Sequence, residues 1–216
     1  MNLKNASPKR IIILGFGGNC IDIADTIDDI NNQARFKKYE VLGFLDDSPH
    51  DDVLGPLTDW EKYPNCFFVN GIGSTKTFHI KEDILRGLDI PFEKYETIIH
   101  PSASVSKSSV IGFGTVLFQN VVVTSNAVIG NHVMILPNSV VSHNTTIGDY
   151  CVIAGCVCIS GNVTIKKSCY LGSNSSIKDG IIISQGCLIG CGSNVVKDTE
   201  PGNTLIGNPA IPMEKR

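Results

Sequence analysis

Every sixth residue from Ile99 to Val195 is aliphatic, seventeen positions in succession without an insertion. Two residues before each of them stands a small side chain, with Ile181 as the exception. Ile-Gly pairs at 111/112, 129/130 and 147/148 repeat the pattern every 18 residues, which is three hexads. An α-helix repeats at 3.6 residues and a coiled coil at seven, so neither accommodates a strict period of six. Residues two apart in a strand share a face. Each hexad therefore reads as a short strand with one large and one small side chain inward, followed by a turn. Three hexads close a triangular coil, and coils stack at the sheet spacing of about 4.8 Å, a little over five of them between 99 and 195. Cys151, Cys169 and Cys187 are 18 apart and fall in one inward column.

Before Ile99 the hexad rule stops and strands alternate with helices. Arg10–Leu14 reads as a buried strand, Cys20 to about Ala34 as an amphipathic helix, Glu40–Leu45 and Cys66–Val69 as further strands, and Thr75–Gly87 as a second helix. This pattern predicts a small parallel sheet that binds ligands at the carboxyl ends of its strands. Those ends carry Gly15-Phe16-Gly17-Gly18-Asn19, Asp46-Asp47 and Gly71-Ile72-Gly73. The third glycine of a dinucleotide fingerprint is missing, since Cys20 stands there. Glycines before a helix start still admit phosphate to backbone N–H groups. The expected fold is an α/β Rossmann-like N-terminal domain, residues 1–98, followed by an all-β parallel β-helix, 99–216, with a C-terminal tail.

Eighteen basic against 21 acidic side chains, a net charge of −3, argue against nucleic acid or an anionic membrane as the main partner. Met1 to Arg10 is polar and no apolar run approaches membrane-spanning length, so the expectation is a cytoplasmic protein with eight reduced, mostly packing cysteines.

The succession of strand, Gly-x-Gly-Gly, helix, Gly43-Phe44-Leu45-Asp46-Asp47, Gly71-Ile72-Gly73, His100-Pro101-Ser102-Ala103, hexads and a terminal Gly207-Asn208-Pro209-Ala210 resembles the bacterial sugar O/N-acyltransferases of the hexapeptide-repeat class, which implies a left-handed parallel β-helix over residues 99–216. These include the sialic acid O-acetyltransferase type and the N-acetyltransferases of nucleotide-linked 4-amino-4,6-dideoxysugars. The resemblance implies a nucleotide sugar held at Gly15, Gly17, Gly18, Asn19, Asp46, Asp47, Gly71 and Gly73. It implies acetyl-CoA, with no metal, lying along the helix against Val152, Gly155, Gly161, Gly172, Ser173, Gly190, Cys191, Asn208 and Pro209. The chain departs from the family at Asn19, where His is usual, at Ile211, where Lys is common, and at Asn144, where an acid usually adjoins the catalytic histidine.

Acyl transfer needs a base, an oxyanion donor and two substrates in contact. Of five histidines, His50, His79, His100 and His132 read as solvated or structural. For His143 the lattice itself supplies neighbours, with Gly161 one coil above and Ser125 one coil below. A bare glycine over the ring leaves a backbone N–H open beside a base. Ser142-His143-Asn144-Thr145-Thr146-Ile147-Gly148 also resembles the family's catalytic segment. Asn144 either orients the ring by accepting a hydrogen bond or, with Asn126 and Asn162, forms a ladder of turn residues. The expected activity is N-acetylation of a nucleotide-linked amino sugar by direct attack with His143, Asn144 and Gly161 at the centre, in a homotrimer serving surface glycan biosynthesis. The alternatives are sugar O-acetylation, a nucleotide-sugar-binding scaffold, and a zinc site of the γ-carbonic anhydrase kind, for which a third histidine is wanting.

Overall fold

The computed structural model describes residues 7–213; the outermost ends of both expected domains, 1–6 and 214–216, lie outside the described residues. The chain opens with β1 (Lys9–Leu14), α1 (Gly18–Gln33), β2 (Tyr39–Leu45), β3 (Val53–Gly55), a 3-10 turn at Leu57–Lys62, β4 (Phe67–Asn70) and α2 (Lys81–Gly87). The four strands form one parallel sheet in the order β3-β2-β1-β4. Alternation along β1 sends Ile11 and Ile13 to one face, with Ile23, Ile27 and Ile30 of α1, and Ile12 and Leu14 to the other, with Leu85 of α2. The second helix is shorter than its sequence pattern predicts. Residues 75–80 form turns in which the Thr77 hydroxyl accepts from the Ser74 N–H at 2.9 Å, a side-chain bond that competes with helix. The three-residue β3 is too short to give a periodic signal.

From Ile98 onward the hexads are strands of two residues each, ending at Val195. Each pairs in parallel with the strand 18 residues away, Val128 with Thr146 and Ile129 with Ile147 for example. Three sheets result, of five, eight and six strands, the eight-stranded one extended by Thr204–Gly207 and an antiparallel Ala210–Pro212. The architecture is a parallel β-helix. Its interior is the expected stack, including fully buried Ile135, Ile153, Ile159, Cys151, Cys169 and Cys187. All eight cysteines are free thiols.

Each corner is made the same way. One residue in six, from Gly114 to Gly192, has left-handed backbone: His132, Tyr150, Cys156, Ser168, six asparagines and four glycines. The eight-stranded sheet is covered by the N-terminal part, where Val116, Phe118 and Met134 join the core of β1 and α1. His100 rivets this joint. Its Nδ1 accepts from the Ser102 N–H at 3.0 Å, so Nε2–H donates to Asp29 of α1, also at 3.0 Å.

The lattice weakens at its open end, where Ile99 is 37% exposed because no coil lies beneath it, whereas Ile147 is 1% exposed. Ile147→Ala should therefore cost about 2–5 kcal/mol in a denaturant titration, and Ile99→Ala under about 1 kcal/mol. Equal costs would mean that the end coil is as tightly packed as the middle.

Candidate active site

Two sets of residues selected from the sequence lie in two places. The first is a cavity of about 360 Å³ at the carboxyl ends of β1 and β4, lined by Gly15, Gly17, Gly18, Asn19, Asp46, Gly71 and Gly73 among others. Gly15 has φ +100°, and a Cβ there would sit 3.1 Å from the Cys20 thiol, so the tight turn off β1 requires glycine. A Cβ at Gly17 or Gly18 would meet nothing within 4 Å, which leaves the start of α1 open to a ligand. The Asn19 amide donates to the Gly73 carbonyl at 3.2 Å and ties two of the loops together. Asp46 closes the third side: its carboxylate accepts from the Phe16 N–H at 2.9 Å and the Ser48 N–H at 2.7 Å. Asp47 is turned away, accepting from the Leu57 N–H at 3.0 Å and lining a neighbouring hollow.

The second place is the corner between the six- and five-stranded sheets. There the His143 ring lies against Gly161 on the next coil: a Cβ at 161 would come within 2.5 Å of Cε1 and 2.7 Å of Nε2. No side chain fits at 161 while the ring stays where it is. Among the described residues no hydrogen bond takes up the Gly161 N–H. Asn144 contacts the ring through its amide nitrogen, Nδ2, 3.2 Å from His143 Nδ1. An amide N–H donates, so the sequence expectation that Asn144 accepts from the ring is reversed in this arrangement.

The residues chosen for acetyl-CoA divide. Gly155, Gly172, Ser173, Gly190 and Cys191 run along the corner between the eight- and six-stranded sheets, together with Asn208 and Pro209 in the terminal hairpin. Gly172 and Gly190 are points of close coil contact, where a Cβ would lie 2.7 Å from the Cys191 nitrogen and the Ile206 Cγ2 respectively. Val152 does not belong with them. It is fully buried beneath Gly73, where the N-terminal part covers the eight-stranded sheet, and is unavailable to a ligand. The outward side of a strand is solvent only if nothing packs on it, and the outward column of this sheet, Ile98, Val116, Met134, Val152, Tyr170 and Leu188 at 18-residue spacing, is apolar throughout.

Lys81 is what sequence reasoning missed. It is wholly buried behind the glycine loops, its ammonium donating at 2.6 Å to the His132 carbonyl, and a Cβ at Gly73 would lie 3.7 Å from Nζ. A signal existed, because Lys81, Leu85 and Leu88 share one helical face by spacing. Burial pushes the ammonium down to about 7. Burial, and secondarily the Lys81 charge, pushes His132 down to about 4. The His132 ring stacks on Tyr150 at 5.4 Å and meets Tyr95 edge-on at 4.4 Å. It occupies the corner between the five- and eight-stranded sheets, so His132 and His143 lie on different edges of the prism and do not share a ligand.

Residues 126–161 match the bacterial transferase hexapeptide family (six repeats). The matched segment is the middle of the β-helix, His143 and Gly161 included. No significant match was found among curated sequences. Among solved structures, the acetyltransferase domain of PglB from Neisseria gonorrhoeae is 24% identical, with a TM-score of 0.84 over 95% of this chain and 100% of that one. A perosamine N-acetyltransferase from Caulobacter crescentus, a histidine-to-asparagine mutant in complex with CoA and GDP-perosamine, is 21% identical, with a TM-score of 0.85 over 97% and 99%. WeeI from Acinetobacter baumannii is 22% identical, with a TM-score of 0.79 over 95% and 100%. The chain has the fold of these proteins, both parts included.

The buried lysine has a thermodynamic consequence. The unfolded chain holds the Lys81 proton up to its ordinary value of 10.5 and the folded chain only to about 7, so this group makes stability rise with pH across that window. Lys81→Met should flatten the rise in a series of melting curves and lift the melting temperature at pH 7. An unchanged slope would show that the ammonium is not the source.

Proposed function

We propose that the chain is an acetyl-CoA-dependent N-acetyltransferase acting on the amino group of a nucleotide-linked 4-amino-4,6-dideoxysugar, in surface glycan biosynthesis. The observation that carries this reading is the His143 ring against Gly161, a base beside an open backbone N–H. The structures similar in fold include a perosamine N-acetyltransferase with CoA and GDP-perosamine and a PglB acetyltransferase domain with acetyl coenzyme A.

In this reading residues 1–98 hold the nucleotide sugar. Gly17, Gly18, Asn19 and Gly73 offer the phosphates backbone and amide N–H groups, Gly15 and Gly71, whose own N–H groups donate to the Leu45 and Leu14 carbonyls, keep the cradle clear of side chains, and Asp46 accepts from ribose or base. Small residues at Gly155, Gly172, Ser173, Gly190 and Cys191 let acetyl-CoA lie along the corner, near exposed Ile206 and Ile211 of the terminal hairpin. His143 takes a proton from the sugar amine as the nitrogen attacks the thioester carbonyl. The Gly161 N–H receives the developing negative charge, and the imidazolium returns the proton to the departing thiolate.

One chain does not contain this whole constellation. Its N-terminal part packs on the eight-stranded sheet, while His143 stands on the corner joining the other two. A homotrimer resolves the separation by bringing one subunit's glycine cradle to the next subunit's His143. The outward column of the five-stranded sheet beside the His143 corner, Val110, Val128, Thr146, Thr164 and Ile182, offers the contact, with Val110, Val128 and Ile182 its exposed apolar members.

His143→Ala should lower kcat by roughly 10²–10⁴ with acetyl-CoA still bound. Asp46→Ala should raise KM for the nucleotide sugar alone. Mixed in equal amounts, reassembled and assayed at a nucleotide-sugar concentration far below the raised KM, where each variant alone is nearly silent, the pair should recover roughly a quarter of parental activity, the share of sites pairing an intact cradle with an intact histidine. No recovery in trimers of mixed composition would mean that cradle and base work within one chain.

A further inference from the structure

The Asn144 amide is the middle rung of a ladder. Asn126 Nδ2 donates to Asn144 Oδ1, and Asn144 Nδ2 donates to Asn162 Oδ1, each at 3.2 Å. All three residues have φ 58°, so the side chains stack in register on successive coils. The ladder stops at both ends: 18 residues below Asn126 is Ser108 and 18 above Asn162 is Gly180, neither of which carries an amide.

The oxygen and nitrogen edges of an amide have nearly the same shape and opposite hydrogen-bonding sense. Turning one rung alone sets oxygen against oxygen on one side and N–H against N–H on the other. The three rungs therefore run together, in one direction or its reverse. In the direction seen, Asn144 gives one N–H to Asn162 and the other to His143 Nδ1. Nδ1 then accepts, the neutral ring carries its proton on Nε2, and the nitrogen nearest Gly161 has no free lone pair. In the reverse direction Asn144 Oδ1 faces Nδ1, accepts its N–H, and leaves Nε2 free to take a proton.

We propose that the direction of the Asn126–Asn144–Asn162 ladder sets which ring nitrogen of His143 carries the proton, with Asn126 and Asn162 as positioning residues that never touch the ring. Its consequence for turnover rests on the reading of His143 as the general base. A carboxylate accepts and does not donate, so an aspartate at either end locks the ladder one way. Asn162→Asp forces Asn144 to donate upward and holds the proton on Nε2. Asn126→Asp forces Asn144 to donate downward and frees Nε2. Both substitutions add one negative charge one rung from Asn144, and because the ring leans on Gly161 the charge at 162 is the nearer, so the tautomer rather than the rate decides the comparison. Aspartate also tolerates left-handed backbone.

The test is the ¹⁵N spectrum of protein labelled at histidine, recorded about two units above the ordinary imidazole value so that rings are neutral, with kcat measured in parallel. Asn120→Asp serves as the control, because Asn120 and Asn138 form a similar 3.2 Å rung at a corner without His143. The His143 signals should show Nε2–H in Asn162→Asp and Nδ1–H in Asn126→Asp, with no change in the control. The same tautomer in both variants would overturn the proposal. If the ladder and the base reading both hold, kcat of Asn126→Asp should exceed that of Asn162→Asp at least tenfold. Opposite tautomers with equal kcat would support the ladder and remove His143 from the role of base.

Discussion

The left-handed corner is the constraint on which the rest of the molecule depends. Fourteen successive hexads, from 114 to 192, each commit one residue to backbone that glycine adopts freely and others adopt at roughly 1–2 kcal/mol. Asparagine softens that cost with local side-chain hydrogen bonds, which is why six of the fourteen are asparagine. The remainder is offset by the ladder of inter-coil hydrogen bonds, such as Thr146 N–H to the Val163 carbonyl at 2.9 Å, and by the aliphatic stack inside. Because every corner is the same length, a residue's spatial neighbours are those 18 positions away. The contact of His143 with Gly161 is one instance of that rule.

The same rule yields opposite chemistry at two corners. His132 occupies the left-handed position itself, and its ring is drawn between Tyr95 and Tyr150 with a buried ammonium on its own carbonyl. That environment opposes protonation and makes His132 a packing residue. His143 stands one position earlier, where the side chain leaves the corner and meets only a glycine and an amide. What separates a buried histidine from an available one is a one-residue phase in the hexad and the presence of the N-terminal part on one side of the prism only.

This explains what was legible from residues alone. The coils, the inward cysteine column and the stacking of Gly161 on His143 follow from strict spacing, and the convergence of Gly15–Asn19 with Gly71–Gly73 follows from parallel strands whose carboxyl ends share one edge, both of them properties of sequence. Val152, Asp47 and Lys81 were misjudged or missed because their surroundings come from packing between two parts with different periodicities. A signal for the covered face existed, since its outward column, Ile98 to Leu188 at 18-residue spacing, is apolar throughout, whereas the other two faces carry Thr146 and Thr164 or Ser104, Ser176 and Asn194. The left-handed backbone at Tyr150, Cys156 and Ser168 was equally hidden, since these residue types do not announce a conformation that the lattice imposes on them.

Asn144 stands where a carboxylate would both orient the ring and favour its protonated form. An amide supplies the first effect without the second, since it carries no charge. It also has two hydrogen-bonding senses where a carboxylate has one, and a lone amide beside a histidine leaves the tautomer undetermined. The corner geometry answers that difficulty with material already present. The asparagines that ease the left-handed turn stack on their neighbours 18 residues away, and the stack makes the sense of one amide depend on the others. A residue retained for backbone conformation thereby acquires control over a proton, through contacts that the hexad repeat dictates.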